Sequence, residues 1–204
     1  MARGENTKER FLLEALKLFG ERGYESVKIA EIARQVGCTA PALYKHFQNK
    51  QKLYEAILEE SIRGYEASMH RIRVDFSDHP ERYISMTEAE QLMAARRLFL
   101  HPLRDPWACA FRKLMITEQF HRKELAELYD KRYVHLQYEQ HTALFRLLME
   151  AGKMKQADAY AMAVMYVSPI IVLIGVCDRN PDKEEWALQV IEDHVKEFNR
   201  NYRI

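Results

Sequence analysis

At 204 residues the chain is long enough to bury a sizeable core without disulfides or a metal to hold it, and 48% hydrophobic with 30% charged residues excludes a disordered chain. The three cysteines, Cys38, Cys109 and Cys177, are odd in number and far apart, and read as reduced thiols of a cytoplasmic protein. A formal charge of +1 conceals a division. Residues 1–53 carry ten Lys or Arg against six Asp or Glu and the remainder 21 against 24, a basic head on a mildly acidic body, which suits phosphate binding by the head.

The segment Met1 to Arg10 is polar and lacks the apolar centre of a secretion signal. The longest apolar run, Tyr160 to Val176, is interrupted by Ser168 and Pro169 and bounded by Asp158 and Asp178. It reads as a buried core helix, and no membrane partner is expected.

Helical periodicity dominates, so the fold class is all-α. Asn6 with Glu9 three residues on predicts a capped first helix, with Phe11, Leu12, Ala15, Leu16 and Phe19 along one side and Gly23 closing it. The pattern restarts at Lys28, with Ile29, Ile32, Ala33 and Val36 facing one way, and breaks at Gly37. Thr39 is placed to cap a short helix from Ala40 to Phe47, with Pro41 in its first turn and Leu43 and Phe47 facing the core. Asn49 begins a fourth helix through Leu53, Tyr54, Ile57, Leu58 and Ile62 and past Met69. A connector is expected from Val74 to Pro80. Helices then follow from about Glu81 to Leu100, Pro106 to Glu118, Lys123 to Ala151, Gln156 to Cys177 and Lys183 to Tyr202, with a break from His101 to Asp105 and turns at Gly152 and Pro181.

The run from Ile29 to Lys50, IAEIARQVGCTAPALYKHFQNK, reads as helix, glycine turn, short helix and cap, the order of a helix-turn-helix. The first helix of such a pair braces the second, which needs apolar inner faces, a small residue where they touch and a tight turn; Ala33 and Gly37 supply the last two. The second must present short or flat groups where it enters a major groove about 12 Å wide, and Thr39, Ala40, Pro41 and Ala42 fit. Tyr44, Lys45, His46 and Lys50 follow where a docked helix meets phosphates. Two short amphipathic helices packed inside a bundle would show the same pattern, with Tyr44 and His46 as ordinary surface residues.

The longer run LFGERGYESVKIAEIARQVGCTAPALYKHFQNKQKLYEAIL resembles the DNA-binding domain of the TetR family of bacterial transcriptional regulators over roughly residues 8 to 60. Phe19, Gly23, Tyr24, Ile32, Ala33, Gly37, Leu43, Tyr44, His46, Phe47 and Lys50 carry the likeness. The resemblance implies a three-helix helix-turn-helix domain, residues 1–49, and a six-helix ligand-binding and dimerisation domain, residues 50–204. It implies a homodimer that binds a palindromic double-stranded DNA operator and is released by a small-molecule effector, repression being the family default. Lys28, Thr39, Ala40, Pro41, Tyr44, Lys45, His46 and Lys50 would form the DNA surface. Lys28 stands where many members have Ser or Thr, so Ser26 is expected to cap the second helix in its place and Lys28 to meet a phosphate.

In the body, Met86, Met93, Trp107, Phe111, Met115, Phe120, Tyr133, Phe145, Met149, Met162, Met165 and Tyr166 are candidates to line an adaptable apolar pocket, although any helical core contains such groups. The last two helices occupy the family position of the dimerising pair. Met162, Val164, Val167, Ile171, Ile174, Trp186, Val190 and Val195 are the candidate contributors. Glu118 and His121 have the E-x-x-H spacing of ferritin-like iron sites, but such a site needs the motif twice, and Glu139/His141 and Glu192/His194 are spaced by two, which points side chains apart on a helix. No nucleophile elbow, phosphate loop or His-Glu-x-x-His pair is present. No cofactor, metal or catalytic residue is therefore expected, a helical metal enzyme and a protein-interaction scaffold being the alternatives to a regulator.

Overall fold

The computed structural model describes residues 2–72 and 80–204, with side chains for residues 7–64 and 82–204. In chain order the elements are α1 (Ala2–Arg22), α2 (Ile29–Gln35), α3 (Ala40–Tyr44), α4 (Lys50–Ile72), α5 (Pro80–Ile84), α6 (Glu88–Arg104), α7 (Pro106–Glu118), α8 (Lys123–Tyr129), a π-helical turn (Asp130–His135), α9 (Leu136–Glu150), α10 (Ala159–Arg179), a 3-10 turn (Pro181–Lys183) and α11 (Glu184–Tyr202). Among the described residues there is no strand, only an isolated bridge between Met154 and Arg203. The chain divides into two compact units, Met1–Arg71 with Arg104–Tyr129, and Ile72–Leu103 with Asp130–Ile204.

The first unit is built on α1. Phe11, Leu12, Ala15, Leu16 and Phe19 are buried as their spacing predicts, with Ile32, Ala33 and Val36 of the second segment, Leu43 and Phe47 of the third, and Leu53, Tyr54 and Ile57 of α4. Each large side chain so buried contributes roughly 1.5–3 kcal/mol. An adjoining side of α1 lies along α7, where Ala110, Phe111, Leu114 and Met115 are buried. Gly20 allows that approach: a Cβ there would stand 2.9 Å from the Ala110 carbonyl oxygen and 3.1 Å from the Leu114 nitrogen. The Thr117 hydroxyl donates to the Gly20 carbonyl at 2.8 Å.

The second unit has two apolar clusters. Phe99, Leu173, Cys177, Leu188, Ile191 and Val195 join α6, α10 and α11. Phe145, Met149, Met162 and Phe198 join α9, α10 and α11, with Tyr166 edge-on to Phe145 and Phe198. The C-terminus is tied down by Ile204 N–H donating to the Lys153 carbonyl at 3.2 Å and Arg203 donating to the Met86 carbonyl at 2.7 Å.

Several boundaries differ from those read in the sequence. α1 begins at Ala2, so Asn6 lies within the helix instead of capping it; Ala2, Arg3 and Glu5 are strong helix formers. α3 stops at Tyr44, three residues early, because Asn49 caps α4 by accepting the Lys52 N–H at 2.8 Å and the chain must turn in between. The helix expected from Glu81 to Leu100 is two, α5 and α6. The expected break from His101 to Asp105 shrinks to Asp105, which caps α7 through the Ala108 N–H, while α6 runs on through Pro102. Of the expected connector, residues 74–79 lie outside the described residues and Pro80 opens α5.

α10 passes uninterrupted through Ser168 and Pro169, and the Ser168 hydroxyl bonds back to the Val164 carbonyl at 2.7 Å. It is not the buried core helix that its apolar run predicts. It is long and apolar enough to cross a membrane, yet only 28% of that stretch is buried within the chain. Met162, Ala163, Val167, Leu173 and Cys177 face inward while Tyr160, Met165 and Val172 are exposed.

Candidate nucleic-acid interface

The α2–α3 pair is joined by a turn that only its sequence explains. Gly37 has φ +74°, the left-handed region that a residue without Cβ enters freely. Gly37 N–H bonds to the Arg34 carbonyl at 3.0 Å and Cys38 N–H to the Ala33 carbonyl at 2.8 Å, the paired bonds of a Schellman C-cap. Arg10 of α1 donates to the Val36 carbonyl at 2.9 Å and holds the turn from behind. With Ile32, Ala33, Val36 and Leu43 buried, the outer side of the pair is fixed by elimination.

That outer side carries most of the residues singled out in the sequence. Lys28, Thr39, Pro41, Tyr44, Lys45 and His46 are exposed, and Ala40 is half-buried. Tyr44 and Lys45 stand where α3 ends, and the His46 ring lies 5.8 Å from that of Phe11, centroid to centroid. Arg34, exposed in the last turn of α2, adds a cation that the sequence reading passed over, because it lies on the outer face of the bracing helix.

One capping expectation holds only in position and another fails. Thr39 occupies the N-cap of α3 with extended backbone, but its hydroxyl makes no capping bond; its carbonyl accepts from Ala42 and Leu43 instead. Ser26 does not cap α2. Its hydroxyl donates to the carbonyls of Arg22 at 2.6 Å and Gly23 at 3.2 Å, closing the end of α1. Lys28 takes the N-cap of α2, and since lysine has no acceptor, the only side-chain bond there is the Glu31 carboxylate accepting the Lys28 N–H at 2.8 Å. That bond, seconded by Arg22, holds Glu31 below the usual carboxylate range.

Lys50 is placed less simply. It is half-buried, its ammonium 4.2 Å from the centre of the Tyr24 ring and 3.3 Å from the Glu25 carbonyl, to which it donates. Beneath Tyr24 sits Glu118, the last residue of α7 and 6% exposed. It accepts the Tyr24 N–H at 2.7 Å and the Arg122 Nε–H at 3.2 Å. Glu118 is therefore turned toward a tyrosine and an arginine, while His121 of the E-x-x-H spacing is exposed. Among the described residues no three His, Cys, Asp or Glu side chains gather as metal ligands would.

The apolar candidates of the body are dispersed. Phe111 and Met115 are buried in the first unit; Phe145, Met149 and Met162 in the second, where the half-buried Tyr166 joins them; Met86, Trp107 and Tyr133 are half-buried. Met93, Met165 and Phe120 stand at the surface, Phe120 86% exposed in the turn after α7. Of the dimer candidates, Val167 and Val195 are buried within the chain, Val164, Ile171, Ile174 and Val190 are half-buried, and Trp186 is exposed. Cys177 is buried and Cys38 and Cys109 half-buried, all three as free thiols. Burial raises the Cys177 thiol above its ordinary range.

An all-α chain with a glycine-turned helix pair at its N-terminal end, its outer side open and cationic, has the build of a helix-turn-helix protein. Residues 11–57 match the family model for bacterial regulatory proteins of the tetR family. The chain is 28% identical over 120 residues to the HTH-type transcriptional regulator AcrR of Shigella flexneri, a match covering 59% of this chain and 51% of that protein. The chain spans about half or less of the length of the first curated relatives it matches. A TetR transcriptional regulator from Chloroflexus aurantiacus superposes over 100% of both chains with a TM-score of 0.69 and 20% identity. SmeT in complex with triclosan, the repressor of the Stenotrophomonas maltophilia multidrug efflux pump, superposes over 98% of this chain and 92% of its own with a TM-score of 0.64 and 18% identity. Over residues 11–57 the chain is thus similar to bacterial regulatory proteins of the tetR family, and in fold to solved TetR regulators.

Proposed function

We propose that the chain is a cytoplasmic transcriptional repressor that binds a palindromic operator as a homodimer and leaves it when a small molecule binds the body. The observation that carries the reading is the α2–α3 pair itself, with its apolar faces spent on the core and Lys28, Thr39, Pro41, Tyr44, Lys45 and His46 left to solvent on one side. Residues 1–49, with Lys50 at the start of α4, supply the DNA surface, and the rest of residues 50–204 senses and dimerises. α3 enters the major groove, where Ala40 and Ala42 leave few hydrogen-bonding groups, so base reading rests on thymine methyls, Lys45 and duplex shape.

The exposed Tyr160, Met165, Val172 and Trp186 of α10 and α11 give a second copy an apolar face to cover. In an isologous dimer the two α3 helices stand about 34 Å apart or a further helical repeat beyond. Ligand-bound SmeT, a repressor of the same fold, supports release by a small molecule.

Fluorescence anisotropy of the protein on DNA from upstream of its own gene, beside a scrambled duplex and across a salt series, tests the reading. Selective binding that weakens with salt and collapses in Tyr44→Ala/Lys50→Ala is the expected result. No binding there, and an empty selection from random-sequence DNA, would overturn it.

A further inference from the structure

Among the described residues Lys50 is a candidate DNA contact whose ammonium is held by the protein, and the holder is built from three places in the chain. The Tyr24 ring lies 4.2 Å beneath it and the Phe19 ring 5.8 Å away. The Arg122 guanidinium packs on the Tyr24 ring at 4.9 Å and on the Tyr54 ring at 4.7 Å, and those two rings meet edge-on at 4.8 Å. Glu118 fastens this stack at both ends, by the Tyr24 N–H and by Arg122 Nε. It also lies against the turn at Gly23, φ +79°, where a Cβ would meet its Oε1 at 3.1 Å. A nearly buried carboxylate is costly unless its acceptors are filled, and here both oxygens are used.

Resting on the reading of Lys50 as a phosphate contact, we propose that Glu118 is a positioning residue for DNA binding: through Tyr24 and Arg122 it sets where the Lys50 ammonium stands. The arrangement leaves Lys50 a positive group with a fixed platform, and a fixed platform lowers the side-chain entropy given up when a phosphate is met. Partial burial lowers the Lys50 pKa, and the Glu25 and Glu118 carboxylates work against that fall. The corner between α7 and α8 thereby enters the DNA-binding machinery although it touches no DNA.

The test measures binding to a duplex recovered by selection from random-sequence DNA, across a salt series, for the wild type, Lys50→Ala, Glu118→Ala, Glu118→Gln and the double variant Glu118→Ala/Lys50→Ala, with melting recorded for each. Glu118→Ala is expected to weaken binding about tenfold, the scale of one charged hydrogen bond, and to lower the salt slope by about one for each phosphate that is no longer neutralised. Lys50→Ala should do the same, and the double variant should bind no more weakly than Lys50→Ala alone. Glu118→Gln keeps an oxygen for the Tyr24 N–H, preserves the fold and should fall between. Additive losses with an unchanged salt slope would make Glu118 merely structural and overturn the proposal, as would folded Glu118 variants that bind like the wild type. A wild type that binds no duplex would sink the repressor reading itself; a binding wild type that is indifferent to Lys50→Ala would sink only the positioning.

Discussion

Replacing Gly20 by alanine tests the helix packing on which the first unit is built. Alanine is the better helix former by about 1 kcal/mol, so on propensity alone the change stabilises α1. The new Cβ, however, would lie 2.9 Å from the Ala110 oxygen, 3.1 Å from the Leu114 nitrogen and 3.3 Å from Lys113 Cβ. Two of the three are backbone atoms and cannot swing aside, so α1 and α7 must separate by several tenths of an ångström. Overpacking costs typically 1–3 kcal/mol, and rigid neighbours put this site near the upper end. The Thr117 bond to the Gly20 carbonyl weakens as the helices part. The net effect is a loss of about 2 kcal/mol, or a fall in Tm of roughly 4–8 °C for a chain of this length. Gly64→Ala is the matched comparison, since Gly64 lies in α4 with nothing within 4 Å of its added Cβ. Thermal melts of both should move in opposite directions, Gly64→Ala upward by a few degrees. A rise for Gly20→Ala as well would refute the close approach of α1 and α7.

Gly37→Ala meets no neighbour within 4 Å but forces a left-handed φ on a residue with a Cβ, so it should cost about 1–2 kcal/mol in a melt and weaken DNA binding by disturbing the α2–α3 turn. His141 sits beside Tyr166 with its Nδ1 2.8 Å from the Gln137 carbonyl, and burial lowers its pKa below the ordinary 6.5. Between that lowered value and 6.5 the unfolded chain binds the proton that the folded chain refuses, so stability should fall as pH drops below about 6.5, and His141→Asn should flatten the Tm–pH curve in that window. Val172→Asp and Trp186→Glu place charge on exposed apolar positions of α10 and α11, and sedimentation velocity should show them monomeric where the wild type is a dimer; a wild-type monomer would refute the dimer.

The helix-turn-helix was legible in the sequence because its signals are local. A glycine at a left-handed position, a proline in a first turn, an asparagine cap and apolar residues at helical spacing each act within a few residues, and Gly37, Pro41, Asn49 and the buried sides of α1 and α2 stand where those rules put them. Where two local signals competed, neighbours decided. Ser26 could cap either of two helices and took the end of α1, and Pro169 lies within α10 because a hydrophobic helix held against α9 and α11 tolerates one missing bond. Spacing singled out Glu118 only as a metal-ligand candidate, and neither periodicity nor capping chemistry could pair it with Tyr24, 94 residues away, since only the packing of α7 on α1 brings them together. The same holds for the outer face of α10. Its composition reads as a helix surrounded by protein, and only the packed structure distinguishes the side covered by this chain from the side left open. Local rules are set by the chain's own stereochemistry, whereas which surfaces meet depends on the free energy of burying them together, and that is decided across the whole fold.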